Sequence, residues 1–335
     1  VLMFLPPSAF AADDEQVRVG DTWLGSAMRV VPCGDGTAAY DPDTKTLTLT
    51  NVTINCDDTT AIFNKTDGLT IKLVGENSIN SGKQTGILSM QGCGLLTLTG
   101  EEGSLNITAA GHAIYANTGS LLIKDTTVKV SSDILAVCAD LGIEISNSTI
   151  ESASTDGNAI YAPGDLTIEN SNVTTSNDNK NDDGYPAIWS DGDITINGGQ
   201  LKSTCAGGKA LGADGSLLVK DTTVKVSSDV LAVYANLGIE ISGSTFESSS
   251  TDSNAIWTPG DLKIENSNVT TNNAGKFPVI WSDRNITING GQLKSTCTGN
   301  DALGAAGTLS ITDCTVENKG GSALYSQGKM TLTGG

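Results

Sequence analysis

Aromatic residues make up only 4% of this 335-residue chain and charged residues 17%, and there is a single histidine, His112. No long segment places apolar residues at i, i+3, i+4 and i+7, so very little helix is expected. No run of 18 apolar residues occurs, which leaves no helical membrane span. Lys and Arg number 19 against 38 Asp and Glu, a formal charge of −19, which argues against binding nucleic acid or anionic membranes through phosphate contacts. The seven cysteines contain no C-x-x-C pair and match no zinc spacing. Cys205 and Cys297 occupy equivalent repeat positions too far apart for a disulfide and read as small buried hydrophobes. Cys33 and Cys56 fall close enough in the repeat to leave a pairing open.

What is abundant is Gly, at 39 residues, with Ser, Thr and Asn, a composition suited to short strands and turns. One twelve-residue phrase recurs, most cleanly as GDLTIENSNVTT (164–175) and GDLKIENSNVTT (260–271). Paired apolar residues such as Leu121/Ile123, Ile143/Ile145, Leu166/Ile168, Ile194/Ile196 and Leu217/Val219 return every 22 to 24 residues except where a loop is inserted. Two residues after successive pairs stand Asp125, Asn147, Asn170, Gly198, Asp221, Gly243, Asn266, Gly290 and Asp313. All are residue types that enter the left-handed region at low cost, so a turn with positive φ is expected at each. A third short strand (AIYA, AIWS, AIWT, VIWS, ALYS) places Ile114, Ile160, Ile188, Ile256 and Ile280 inward. Three short strands per coil with a fixed corner predict an all-β fold, a single-stranded right-handed parallel β-helix of about twelve coils, roughly 58 Å long at about 4.8 Å per coil.

Residues 1–11 read as the remnant of a secretory signal, with a small-x-small site at Ala9-Phe10-Ala11. Residues 12–46 read as an N-terminal cap with the first strands, and 47–335 as the β-helix, stopping within a repeat, as in a fragment of a longer exported protein. A four-coil block, 119–212, is restated as 215–304. Its copies differ where SNDNKNDDGY (176–185) becomes NNAGKF (272–277).

The opening YDPDTKTLTLTNVTI, with GLTIKLVGENSI, L-T-I-x-N-S-x-V and the A-I-Y/W phrases, resembles the pectate-lyase-like right-handed parallel β-helix, and in particular secreted bacterial carbohydrate-binding proteins of the cellulose- and polygalacturonate-binding kind. The resemblance covers the chain from about Tyr40 onward. It implies a secreted or cell-surface bacterial protein whose third strand forms the floor of a polysaccharide cleft.

The outward residues of that strand include Tyr115, Tyr161, Trp189, Tyr234, Trp257, Trp281 and Tyr325, so three of the four tryptophans share one column. A row of rings offers CH–π surface to sugar faces, and these seven are the candidate carbohydrate-binding residues. Sideways packing of the rings on one another is the competing structural reading. Gly212 and Gly304 interrupt the column, leaving room for a sugar substituent or reflecting drift. A second outward column, containing Lys129, Glu151, Lys225 and Glu247, reads as cross-strand charge pairing.

In the family the resemblance points to, lyases use a basic residue, usually Arg, beside calcium-binding carboxylates, and hydrolases use clustered Asp with a His. Arg18, Arg29, Arg284 and the isolated His112 do not supply such a set, and no catalytic residues are expected. Asp178, Asp182 and Asp183 are weak candidate calcium ligands, off the EF-hand spacing. Asp165, Glu169, Asp261 and Glu265 line the edge of the stacked coils, and no cofactor is required although Ca²⁺ stays open. The expected function is non-catalytic binding of a plant cell-wall type polysaccharide, with no nucleic acid and no membrane insertion. A surface adhesin or stalk carrying other domains is the alternative, and a pectin-active lyase or hydrolase a more distant one.

Overall fold

The computed structural model describes residues 16–180, 184–297 and 301–334. The proposed signal remnant, residues 1–11, lies outside them. No helix occurs among the described residues, and every regular element is a strand.

The chain winds as a parallel solenoid of about twelve turns. Its entry is built from β1 (Val17–Val19), β2 (Thr22–Leu24), β3 (Val30–Cys33) and β4 (Gly36–Asp41), and the first coil from β5 (Thr46–Thr50), β6 (Thr53–Asn55) and β7 (Ile62–Asn64). β1 pairs antiparallel with both β2 and β7, while the β3–β4 hairpin pairs antiparallel with β5. The cap therefore satisfies the open edge of both sheets at one end, where bare N–H and C=O groups would otherwise template pairing with another chain. From β5 onward the coils pair in parallel, each strand with its counterpart one coil along.

The inward columns follow the repeat. Leu121, Ile143, Leu166, Ile194, Leu217, Ile239, Leu262, Ile286 and Leu309 are register partners in sequence, and each is almost wholly buried. Full burial of one Leu or Ile contributes about 1.5–3 kcal/mol, so these columns dominate the stability of the stack.

All nine expected corners have positive φ: 47–52° at Asp125, Asn147, Asn170, Asp221, Asn266 and Asp313, and 59–72° at Gly198, Gly243 and Gly290. Asn170 Oδ1 lies over the next corner, where a Cβ on Gly198 would meet it at 2.5 Å. At that step the reaching Asn meets a bare corner, whereas Asp125, Asn147 and Asn170 stack Asx on Asx, Asn147 Nδ2 donating to Asp125 Oδ1 at 3.3 Å.

Beside these corners runs a ladder of small hydroxyls. Ser148 N–H donates to Ser171 Oγ (3.0 Å) and Ser244 N–H to Ser267 Oγ (3.1 Å), and each serine donates in turn to a carbonyl two residues back. At another corner Ser250 accepts from Ser253 N–H and donates to Val230 O. Buried backbone groups left over by the turns are thereby satisfied.

All seven cysteines are free thiols, Cys33 and Cys56 among them, and Cys205 and Cys297 are buried in the apolar core. The charge column pairs as its alternation suggests: Lys129–Glu151 at 2.8 Å, Lys225–Glu247 at 3.0 Å and Lys294–Glu317 at 3.5 Å. These pairs are solvent-exposed and each is worth at most about 1 kcal/mol.

Candidate functional site

The third strands form their own parallel sheet, and its register brings the outward column together: Phe63, Leu88, Tyr115, Cys138, Tyr161, Trp189, Gly212, Tyr234, Trp257, Trp281, Gly304 and Tyr325 are successive partners. All seven candidate rings thus lie on one face along the solenoid axis. The Ile/Val/Leu column beside them points inward, from Ile62 to Leu303 without exposure. Six of the seven rings are half-buried, and Tyr325 is exposed.

The rings do not stand at even intervals. Trp189 and Tyr234 belong to coils two apart, which strand spacing alone would hold at about 9.6 Å. Their centroids lie 6.1 Å apart with planes at 11°. Trp281 and Tyr325, also two coils apart, stack at 6.1 Å and 22°. In each pair the intervening coil carries glycine, and a Cβ there would fall 2.5 Å from the indole: Trp189 over Gly212, Trp281 over Gly304. The glycines neither leave the stripe empty nor reflect drift; each is the bed on which a tryptophan lies down. Tyr234 and Trp257 continue the contact at 5.2 Å, tilted by 55°.

Because Trp281 leans away from Trp257, a cleft of about 420 Å³ opens between them, lined by Ser253, Asn254, Phe277, Pro278 and Asp283 as well as the two indoles. Phe277 is an exposed wall. Asn254 Nδ2 donates to Pro278 O at 2.6 Å and holds the loop that carries Phe277. Gly304→Ala is therefore expected to push the Trp281 ring back towards Trp257 and close this cleft. Overpacking of this kind costs about 1–3 kcal/mol. Far-UV circular dichroism should be unchanged while tryptophan emission shifts; an unaltered emission spectrum would contradict the geometry.

Carboxylates flank the rings two residues further along the chain. Trp189 Nε1 donates to Asp191 Oδ1 at 2.8 Å, Tyr161 Oη to Asp191 Oδ2 at 2.8 Å, and Trp281 Nε1 to Asp283 Oδ1 at 2.6 Å. Tyr115 Oη reaches Asp140 at 3.4 Å. Burial, then the bond to Asp191, raises the Tyr161 phenol well above its ordinary value, so it remains a donor. Cys138, which fills the ring column one coil earlier, is buried, and its thiol is pushed up to about 12. Lys209 places its ammonium 5.2 Å from the Trp189 centroid and 5.3 Å from that of Tyr234, a cation–π contact worth about 0.5–2 kcal/mol. Neither Lys209, the ring-flanking aspartates, Phe277 nor its counterpart Tyr185 was among the sequence candidates. The repeated Trp-Ser-Asp triplet (189–191, 281–283) was the available signal for the aspartates.

His112 stacks on Tyr115 at 4.9 Å and 21°. Burial lowers its pKa from 6.5, partly opposed by Asp140. A base held below its unfolded value stabilises the fold fully above pH 6.5 and loses that contribution as pH falls towards the folded pKa. His112→Gln should flatten the fall of Tm between pH 7.5 and 5.5; an unchanged slope would exclude this histidine as its cause. Arg18 lies in the cap, donating to Thr60 O at 3.3 Å with its guanidinium 5.4 Å from the Phe63 centroid.

Asp178 lies at a different corner, in a polar groove with Ser228 and Asp229. Asp182 and Asp183 lie outside the described residues. Among the described residues no group of three or more His, Cys, Asp or Glu side chains is placed to hold a metal ion. Of the edge carboxylates, Asp165 accepts Asp193 N–H, Asp261 accepts Asn285 N–H, and Glu265 pairs with Lys263 at 2.9 Å. Among the described residues no helix is long and apolar enough to cross a membrane.

Comparison with known proteins gave no match to a family model, to a curated protein or to a solved structure.

Proposed function

We propose that this protein is a non-catalytic polysaccharide-binding β-helix of the pectate-lyase-like kind, secreted or held at a bacterial cell surface, which grips a plant-type glycan along its aromatic face. The observation that carries this reading is the cleft between Trp257 and Trp281, walled by Phe277, with the Asp283 carboxylate at its rim. Rings present apolar faces to the C–H bonds of a sugar, and a fixed carboxylate accepts from its hydroxyls. The lining contains an acid and no base, and with a formal charge of −19 the surface favours a neutral glycan over a polyuronate unless Ca²⁺ bridges the like charges.

A stalk or adhesin that spaces other domains is the second reading. It draws on the near-identical repetition of 119–212 as 215–304, which adds length in whole coils. Catalysis is the least supported of the three. His112 stacks on Tyr115, and among the described residues no group of three or more His, Cys, Asp or Glu side chains is placed to hold a metal ion.

A glycan array probed once with calcium and once with chelator separates these readings. Retention on neutral β-glycans under both conditions is the expected result. Retention on polyuronates with calcium alone would transfer the site to a cation bridge, and no retention on any glycan would favour the stalk. Release of reducing or unsaturated sugar would revive an enzyme.

A further inference from the structure

The four-coil duplication copies the cleft as well as the scaffold. Tyr161, Tyr185, Pro186, Trp189 and Asp191 in the first block correspond to Trp257, Phe277, Pro278, Trp281 and Asp283 in the second. Both are assembled alike. Asn158 Nδ2 donates to Pro186 O at 2.7 Å as Asn254 does to Pro278 O at 2.6 Å. Each tryptophan leans over the glycine of the next coil and donates its indole N–H to the aspartate two residues on. Tyr185 and Phe277 are comparably exposed, at 56% and 53%.

They differ in side chains, Tyr161, Tyr185 and Lys209 standing where the second copy has Trp257, Phe277 and Asp301, and with them in what reaches the second carboxylate oxygen. In the first cradle Tyr161 Oη donates to Asp191 Oδ2, so each carboxylate oxygen already accepts one hydrogen bond and the phenol ties the Tyr161 side of the cradle to the Trp189 side. In the second, Trp257 has no hydroxyl, and no donor among the described residues reaches Asp283 Oδ2.

We infer that the duplication has produced two unequal subsites for a single neutral β-linked glycan chain: an open one at Trp257, Phe277, Trp281 and Asp283, and one at Tyr161, Tyr185, Trp189 and Asp191 that its own tyrosine holds closed. This rests on the polysaccharide reading above. The occupant is chosen by charge and shape. The open cradle is lined by an acid and no base, which disfavours uronates, and the two cradles share one straight column of third strands. A flat, extended β-1,4-linked chain advances by close to one coil's rise per sugar. The cradles lie four coils apart, about 19 Å at strand spacing, so a chain of five or six sugars reaches from one to the other. Shorter chains occupy the open cradle alone.

The test is calorimetric titration of the full chain with β-1,4-linked gluco-oligosaccharides of two to eight residues. The trisaccharide should bind with a stoichiometry of one, and affinity should climb by roughly 10²-fold by the hexasaccharide and then level, as expected when a second contact becomes intramolecular. Tyr161→Phe, which frees Asp191 Oδ2, should raise trisaccharide stoichiometry from one to two and strengthen hexasaccharide binding several-fold. Tyr161→Trp, which copies the second cradle, should do the same and serves if the first variant folds poorly. Two trisaccharides on the unaltered chain, affinity that is flat beyond the trisaccharide, or Tyr161 variants that keep a stoichiometry of one would each overturn the inference while leaving polysaccharide binding in place. Absence of binding at every length would instead remove the polysaccharide reading itself.

Discussion

An Ile168→Asp chain is expected to melt in two steps, the first well below the transition of the unaltered protein. Ile168 is fully buried between its register partners Ile145 and Ile196, also fully buried. Aspartate there forfeits the isoleucine's burial and places a carboxyl group in an apolar column. The combined cost exceeds about 4 kcal/mol. In a globular core such a loss would unfold the whole molecule. Here each coil touches only its neighbours, and stability is close to a sum of coil and interface terms. Breaking one interface near the middle therefore uncouples the two ends. Ile168→Val, which removes one methylene, should cost only about 0.5–1.5 kcal/mol and keep a single transition. Calorimetry distinguishes the cases, and a single, unshifted transition for Ile168→Asp would refute nearest-neighbour coupling.

The second large effect concerns the aromatic face. Trp189→Ala, Trp257→Ala and Trp281→Ala combined should reduce retention on insoluble polysaccharide by about 10²-fold, since each ring contact is worth about 0.5–1.5 kcal/mol. Two of these indoles also cover glycines, Trp189 over Gly212 and Trp281 over Gly304, so a modest loss of stability accompanies the loss of binding. Circular dichroism has to show the triple variant folded for the comparison to count. Pull-down equal to that of the unaltered chain would remove the rings from the binding face.

Much of the fold was legible because a solenoid stacks equal positions. Once Leu166, Ile168, Asn170 and Val173 were recognised as one phrase, the inward columns, the left-handed corners and the membership of the ring column all followed from period alone. Period gives a residue's column and not its rotamer. That Trp189 and Trp281 would lie along the axis depends on the glycine one coil further on, and the resulting 6.1 Å stacks join coils that the sequence treats as second neighbours. Phe277 and Tyr185 escaped for the opposite reason. They sit at the ends of inserted loops whose two copies differ in length, outside the ring column that the coil period marks. The hydroxyl ladders were hidden within the high Ser and Thr content, since composition alone does not separate Ser171, buried and bonded at a corner, from serines facing water.

The parallel stacking of the coils also has a mechanical meaning. Pulled at its two ends along the axis, the molecule bears load coil by coil in series, and the hydrogen bonds between neighbouring strands open as a zipper does, a few at a time. A shear geometry would load a whole strand's bonds at once; this one does not. The chain should accordingly yield at low and nearly constant tension, each coil paying out some 70 Å of polypeptide at about 3.3 Å per residue. A stack of coils built this way would absorb work by lengthening in coil-sized steps, and would rewind from whichever coils remained closed.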